Sequence, residues 1–353
     1  MALYIWAVLV ILVVIEAKVK VALLVPVTSN KLPEDTTIDA SYLFTNLLPS
    51  LQEHIGESEY EEFDISLYLG IDAGDRLFDQ DGARRILKQL SASFIPKIKL
   101  KIVRMIESKH QIRRIWNELA ASAYKGNNEY FIYTSDDAIL QSSGFVSSIT
   151  TKLHDNHGFG VVAFHELHKK AAAGSWPTFP CFSRVHLEIF GASNAFDNVL
   201  LNSYTDIYIS DVYKIFNSAV IDVNAIIMNL VGGEDLPRYN PAFPGWPSYI
   251  EAVVRGRKLV LKYLNSMTNV ASVKLDSGVT LLTDNVVPSI IDKVVYSEGL
   301  ESYVINMMET DMIYGPEGYH YDDYIVYQNS NGGIGDTGSD KSDEEEEDDD
   351  SEL

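Results

Sequence analysis

Two adjacent carboxylates, Asp136 and Asp137, follow a short run of aromatic and β-branched residues at 130–133. Such a run is typical of a buried strand, and the ligands of open α/β sheets bind at the carboxyl ends of strands. Mg²⁺ is held by one or two protein carboxylates and takes its remaining oxygens from substrate phosphates and water. The pair is therefore a candidate site for a divalent cation. The alternative is that these residues cap the next helix, because Asp is a favoured N-cap residue.

The segments around this pair alternate between strand-like and helix-like patterns. Strands are predicted at 19–27, 63–71, 98–106, 130–133, 160–164, 185–190 and 219–228. Helices are predicted at 42–54, 82–90, 111–124, 145–153, 206–216 and 250–264. Alternation of this kind predicts a parallel sheet with helices on both faces. The apolar content of 46% is that of a folded protein with a core.

The net charge of −22 is unevenly distributed along the 353 residues. Residues 340–353 contain ten acids and one Lys, which leaves −13 for residues 1–339. An acidic body repels phosphate backbones, which argues against nucleic acid as a partner. Residues 329–353 offer little apolar surface to bury, so we expect a disordered acidic tail.

The amino terminus begins with an uninterrupted apolar run of fourteen residues, 2–15. This run is shorter than the ~20 residues of a membrane-spanning helix and is typical of a signal-peptide core. We expect residues 1–17 to be a signal peptide or a short membrane anchor. That would place the protein in the lumen of the secretory pathway (ER/Golgi) or outside the cell. The alternative is a buried first strand, although 19–27 already supplies one.

These segments resemble nucleotide-sugar glycosyltransferases of the GT-A fold, of the family 2-like kind, over roughly residues 18–265. The segment VKVALLVPVTSN (19–30) is similar to their first strand and the loop over the nucleotide, which implies that Thr28 and Ser29 bind the donor. Asp72 is similar to the acidic residue that meets the base or the ribose. TSDDA (134–138) occupies the place of the Asp-x-Asp metal motif, with Ser135 where the first Asp would stand.

The resemblance implies an α/β fold with a GT-A-like (Rossmann-type) mixed, mostly parallel sheet flanked by helices. A single large domain, 18–328, would comprise a nucleotide-binding half (18–140) and an acceptor half (141–328). The implied reaction moves a sugar from a nucleotide-diphosphate donor to a hydroxyl of a glycan, lipid or protein. Mn²⁺ or Mg²⁺ would assist, with Asp137 as the direct ligand and Asp136 on the ribose or a metal-bound water.

An inverting transfer needs a general base for the acceptor hydroxyl, and the resemblance locates it at the start of a downstream helix. Asp206 and Asp211 compete for this role. Five residues of helix turn through about 500°, so the two carboxylates point ~140° apart and at most one faces the site. We expect Asp206 to be the base. The alternative is that it is an N-cap residue.

Three further segments are candidates, of which only 182–191 rests on the resemblance. Arg238 is expected to reach the diphosphate, the alternative being a surface salt bridge. The segment FSRVHLEIFG (182–191) is similar to the acceptor-side element, with Arg184 and His186 as polar contacts. The Tyr-rich stretch 314–327 is either a lid over the sugar or packing for the last elements. We treat the His-Glu-Leu-His segment, 165–168, as a loop.

Two other functions remain open on the sequence. A sugar nucleotidyltransferase usually carries a Gly-rich loop after its first strand, and TSNKLPEDTT (28–37) contains no glycine. An inactive lumenal carbohydrate-binding protein could keep the same fold, because fold alone does not establish activity.

Overall fold

The computed structural model describes residues 18–106, 111–167, 178–230, 242–276 and 325–327, the last range and 268–276 as backbone only. Residues 1–17, Arg238, residues 314–324 and the acidic tail 329–353 lie outside the described residues, as does the role predicted for each. Within the described part, no helix is long and apolar enough to cross a membrane.

Within the described residues, nine strands form one mixed sheet. They are β1 (Val19–Val27), β2 (Phe63–Asp72), β3 (Lys99–Met105), β4 (Tyr130–Tyr133), β5 (Ala138–Leu140), β6 (Val161–Leu167), β7 (Pro180–Ser183), β8 (Ala219–Asn229) and β9 (Ile325–Tyr327). Their order is β3-β2-β1-β4-β7-β6-β8-β5, and β9 pairs with β8. Strands β1 to β4 are parallel, and so are β6, β8 and β9, whereas β7 and β5 run antiparallel to their neighbours. The predicted α/β fold with a mixed, mostly parallel sheet is confirmed.

Eight α-helices in the part of the chain that the structure describes cover the two faces of this sheet. They are α1 (Leu48–His54), α2 (Glu57–Glu62), α3 (Ala83–Phe94), α4 (Ile112–Lys125), α5 (Phe145–Asp155), α6 (Arg184–Phe190), α7 (Thr205–Lys214) and α8 (Trp246–Asp276). A π-helical segment, Leu43–Leu47, leads into α1. One buried cluster packs α1, α3 and α5 against the sheet, and a second packs α4, α6, α7 and α8 on the other face. The sheet is therefore the middle layer of three.

Burial on both faces explains the apolar strands. Seven consecutive residues of β1, from Val21 to Val27, are buried, as expected for a strand with helices above and below it. The packing of α4 is close at Gly70 in β2, where a Cβ would lie 3.0 Å from Ile115 and 3.2 Å from Leu119. Burying a side chain such as Ile115 stabilises the fold by roughly 1.5–3 kcal/mol. This close packing fixes the carboxyl end of β2, where Asp72 lies.

Two sequence predictions are wrong on either side of β7. Residues 185–190 form helix α6 rather than a strand, because the side chain of Ser183 accepts the amide of Val185 at 3.0 Å and caps a helix there. The strand that fills this place in the sheet is β7, in a segment where no strand was predicted. Residues 165–167, predicted to be a loop, continue β6 as far as Leu167.

Candidate functional site

The loop after β1 lies at the carboxyl edge of the parallel strands and is held by an aspartate that the sequence reading did not select. The amide of Ser29 donates to Asp75 Oδ2 at 2.8 Å, and the amides of Leu77 and Phe78 donate to Oδ1 of the same carboxylate at 2.9 Å each. Asp75 is buried. Its only signal in the sequence was its position three residues beyond the end of a strand.

Asp136 joins the β1 loop to the end of β4. Its Oδ2 accepts the backbone amide of Thr28 at 3.4 Å, and both residues are 1% exposed. The hydroxyl of Thr28 accepts the amide of Asn30 at 3.2 Å. The loop predicted to lie over a nucleotide and the acidic pair are therefore in direct contact.

Asp72 ends β2 beside this loop. It is 1% exposed, and its backbone carbonyl accepts the amide of Asp75 at 3.0 Å. The register of β1 and β2 pairs Val27 with Ile71, so Asp72 and Thr28 follow at the same level on neighbouring strands, which are ~4.8 Å apart. The structure thus brings Thr28, Asp72 and Asp136 together.

The acidic pair does not cap a helix. Residues 138–140, directly after it, form β5, and the next helix, α5, begins at Phe145 with Gly144 in the N-cap position. The capping alternative for Asp136 and Asp137 is therefore wrong. Asp137 is 3% exposed.

The carboxylate oxygens at this edge fit a cation that is also bound by a phosphate. Asp136 and Asp137 supply two carboxylates, and the part of the chain that the structure describes contains no group of three or more His, Cys, Asp or Glu side chains able to hold a metal ion. Mg²⁺ is bound in this way by one or two carboxylates together with substrate phosphates. The residues present therefore fit a cation that arrives with a diphosphate.

Asp211 lies inside the packing between two helices. Its Oδ2 accepts the hydroxyl of Tyr249 at 2.6 Å, and its backbone carbonyl accepts Arg257 Nη2 at 2.9 Å. It is 3% exposed. These hydrogen bonds join α7 to α8, so Asp211 stabilises the contact between the two helices and lies away from the sheet edge.

Asp206 is in the first turn of α7 but does not cap it. The N-cap position belongs to Tyr204, and Asp206 is the second residue of the helix, where its Oδ1 accepts the amide of Ile207 at 3.1 Å. The N-cap alternative for Asp206 is therefore wrong. Asp206 is half-buried, and removal of its carboxyl from water raises its pKa to about 6, an increase to which the negative charge of Glu166 contributes. This carboxyl is ionised at neutral pH and remains a competent proton acceptor.

The end of β6 contributes residues that the sequence reading missed. The register on either side of β7 aligns Ile132 with Cys181 and Cys181 with Val162. Continued by three residues, it puts Ser135 and His165 at the same level, two strand spacings or roughly 10 Å apart. The hydroxyl of Thr178 donates to Glu166, the next residue of β6. His165 and Glu166 were not predicted as site residues because 165–168 was predicted to be a loop and not the end of a strand.

Several buried polar atoms at this edge find no hydrogen-bond partner among the described residues. They are Thr134 Oγ1, Ser135 Oγ, His165 Nδ1 and Thr205 Oγ1. Buried polar groups without partners are uncommon in folded proteins and call for an explanation. Their position at the ends of β4 and β6 and at the start of α7 is that of groups available to a ligand.

Arg184 and His186 do not belong to this edge, so their expected contact with an acceptor is wrong. His186 is buried, with Nε2 3.0 Å from the carbonyl of Ala195 and Nδ1 3.1 Å from the Tyr213 hydroxyl, and burial lowers its pKa to about 3. The amide of Arg184 donates to the Glu129 carbonyl at 2.7 Å, at the amino end of β4. Its guanidinium lies 3.7 Å from the ring centre of Tyr124.

Comparison with known proteins gives structural similarity only. No protein-family model matches the chain, and no curated protein matches it in sequence. Among solved structures, S. aureus TarS residues 1–349 with UDP-GlcNAc is 12% identical, with a TM-score of 0.41 over 87% of this chain and 89% of that one. GalNAc-T7 with UDP, GalNAc and Mn²⁺ is 10% identical, with a TM-score of 0.45 over 67% of this chain and 48% of that one.

The chain spans about half of the longer TarS structure, 54% of its length, with 12% identity and a TM-score of 0.40. These neighbours are glycosyltransferases that bind UDP or UDP-sugars. Because the TM-scores are below 0.5, what this chain does has to be argued from its own residues.

Proposed function

We propose that this protein is a glycosyltransferase that uses a nucleotide-diphosphate sugar, of the GT-A, family 2-like kind. The observation that supports this most is the arrangement at one sheet edge. A buried acidic pair contacts the loop after β1, and at the carboxyl ends of the same sheet stands a separate carboxyl, Asp206, whose pKa is raised to about 6. Sugar transfer needs both groups, an acidic pair to bind the activated donor and a carboxylate to act as general base.

The donor half consists of Thr28, Ser29, Asp72 and the acidic pair. Asp72 would meet the ribose or the base, and the loop of Thr28 and Ser29 would lie over the nucleotide. Asp137 would hold a divalent cation directly, with Asp136 on the ribose or a metal-bound water, and the cation would offset the negative charge that develops on the leaving diphosphate. Arg238 would add a positive charge to the same diphosphate.

The reaction at the acceptor uses Asp206 as the base. The acceptor hydroxyl oxygen forms a bond to the anomeric carbon, whose bond to the diphosphate oxygen breaks, and the diphosphate leaves with that electron pair. The hydroxyl proton passes to the Asp206 carboxylate. A positioned base of this kind contributes roughly 10²–10⁴-fold to the rate, and attack opposite the leaving group inverts the anomeric centre.

The proposed cellular compartment depends on the role of residues 1–17. If residues 1–17 direct the chain into the secretory pathway, donor and acceptor are met in its lumen or outside the cell. If residues 1–17 are kept as a short anchor instead of being cleaved, they would associate the protein with the membrane. The acceptor is a glycan, a lipid or a protein.

Thermal-shift measurements with UDP- and GDP-sugars, each with and without Mn²⁺, test the proposal, followed by assays of donor hydrolysis. A metal-dependent increase in melting temperature and release of nucleoside diphosphate are expected. Asp137→Asn should abolish both effects, and Asp155→Asn, at an exposed position on α5, is the matched control. No shift with any donor would favour a carbohydrate-binding protein without activity. Release of pyrophosphate from a nucleoside triphosphate and a sugar phosphate would favour a nucleotidyltransferase.

A further inference from the structure

The guanidinium of Arg76 binds three consecutive carbonyls of the loop after β1, residues 28–37. Its Nη2 donates to the carbonyls of Leu32 and Pro33 at 2.8 and 2.6 Å, and its Nη1 donates to the carbonyl of Glu34 at 3.1 Å. Arg76 is exposed, so these hydrogen bonds lie at the surface and not in the core. A guanidinium presents its donors in a rigid, planar fork. Three carbonyls bound to one guanidinium therefore fix the path of the loop.

Leu32 connects this contact to a residue that is expected to bind the donor. The amide of Leu32 donates to the carbonyl of Ser29 at 3.2 Å, while the carbonyl of Leu32 accepts from Arg76. Lys31, between Ser29 and Leu32, has a left-handed φ of 65°. A non-glycine residue keeps such a conformation only where the surrounding contacts hold it. The turn at residues 29–32 thus depends on a side chain outside the loop.

The segment that carries Arg76 is itself held in place. Asp79 accepts the amide of Gly74 at 2.8 Å and binds Nε and Nη2 of Arg104 at 2.7–2.9 Å. Arg104 belongs to β3, so this bidentate pair anchors residues 73–81 to that strand. From this fixed segment Arg76 and its neighbour Asp75 both reach the loop after β1.

We propose that Arg76 is a positioning residue for the nucleotide of the donor. Through Leu32 and Ser29 it holds the loop after β1 in the conformation that lies over the nucleotide before the donor arrives. The apparent affinity for a ligand falls in proportion to the fraction of the protein in the binding-competent conformation. Release of the loop therefore weakens donor binding and leaves the chemical step unchanged. The inference rests on the proposed function and adds to it a residue that acts through the backbone of the loop.

The test measures donor binding and loop protection in variants of Arg76. If the released loop is competent about one tenth of the time, Arg76→Ala raises the donor KM about tenfold with kcat nearly constant. The dissociation constant of UDP or GDP with Mn²⁺, measured by titration calorimetry, should rise by the same factor. Arg76→Lys keeps the charge but has a single nitrogen in place of the fork, so its KM should rise nearly as much. Hydrogen exchange over residues 29–38 should become faster in both variants.

Arg85→Ala is the matched control, because Arg85 is an exposed arginine on α3, the helix that follows residues 73–81. It removes the same charge and should leave the donor KM and the hydrogen exchange of the loop unchanged. An equal rise of KM in this control would overturn the positioning role.

Three other results would also overturn it. They are an unchanged donor KM in Arg76→Ala, a parent-like KM in Arg76→Lys, and a large fall in melting temperature with faster exchange throughout the chain. The second would show that the charge acts and not the fork, and the third would show a general role in folding. If the parent protein binds neither UDP nor GDP and releases neither from a sugar donor, the proposed function fails, and the positioning role fails with it. Normal parent activity with an unchanged KM in Arg76→Ala refutes the positioning role alone.

Discussion

The carboxyl of Asp206 should make the stability of the protein depend on pH in a direction that a helix cap would not. Its pKa rises from an ordinary 3.8 to about 6 in the folded protein, so the native state binds this proton more tightly than the unfolded state does. The resulting stabilisation is fully present below about pH 4 and is lost as the pH rises through 6. About two pKa units, at 1.36 kcal/mol each, correspond to about 3 kcal/mol as an upper limit.

Asp206→Asn removes this charge and keeps the shape of the side chain. The free energy of unfolding of the variant should exceed that of the parent by up to about 3 kcal/mol at pH 8 and match it near pH 4. In the same variant the transfer rate should fall roughly 10²–10⁴-fold with donor affinity retained. Urea denaturation at several pH values and steady-state kinetics measure the two quantities.

Asp211→Asn is the matched control on the same helix, because its amide oxygen can still accept the hydroxyl of Tyr249. It should retain most of the activity. A stability difference for Asp206→Asn that does not change with pH would refute the buried-carboxyl argument. Full activity of Asp206→Asn, with loss of activity in Asp211→Asn, would transfer the role of base to the second carboxylate.

The remaining predictions concern the donor half and the tail. Asp137→Asn should abolish transfer and remove the Mn²⁺ dependence of nucleotide binding while circular dichroism stays unchanged; unaltered metal dependence would contradict the assignment. Asp72→Ala should raise the donor KM with kcat nearly constant, because a ribose or base contact is made equally in the ground and transition states. Asp75→Ala leaves three buried or half-buried amides without their acceptor, each at a cost of about 1–3 kcal/mol, so its melting temperature should fall clearly below that of an exposed control such as Asp155→Ala. Deletion of residues 330–353 should leave activity and melting temperature nearly unchanged, and a large loss of either would show that the tail docks on the body.

The sequence predicted the parallel part of the sheet well for a physical reason. A strand covered by helices on both faces must be apolar along its whole length, and β1 carries that pattern without interruption. Residues 185–190 were misread because Val185, Leu187 and Ile189 alternate with polar or aromatic neighbours as in a strand. The N-cap by Ser183 and the packing of the segment against α8 stabilise a helix instead. Neither can be predicted from the alternation of residue types in the segment itself.

The candidate site was predictable where it depended on position along a strand and not where it depended on distant contacts. Asp136 and Asp72 follow strand ends and could be selected on that ground alone. Asp75 holds Ser29 across 46 residues of chain, and Glu166 influences Asp206 from another element. Tyr204 contacts the rings of Phe243 and Trp246, and only tertiary packing brings these two parts of the chain together.

Strand β7 separates two groups of polar side chains at one edge of the sheet. It lies between β4, which ends in the acidic pair, and β6, which ends in His165 and Glu166. Because β7 lies between these two strands, the two groups of side chains stand two strand spacings apart, roughly 10 Å. Direct pairing of β4 with β6 would bring the carboxylates of the acidic pair and Glu166 onto neighbouring strands, where their like charges would oppose each other. In the proposed reaction, this separation would leave the cation and the diphosphate on the side of β4. Asp206 would lie on the side of β6, where an acceptor hydroxyl would approach the sugar from the face opposite the leaving group.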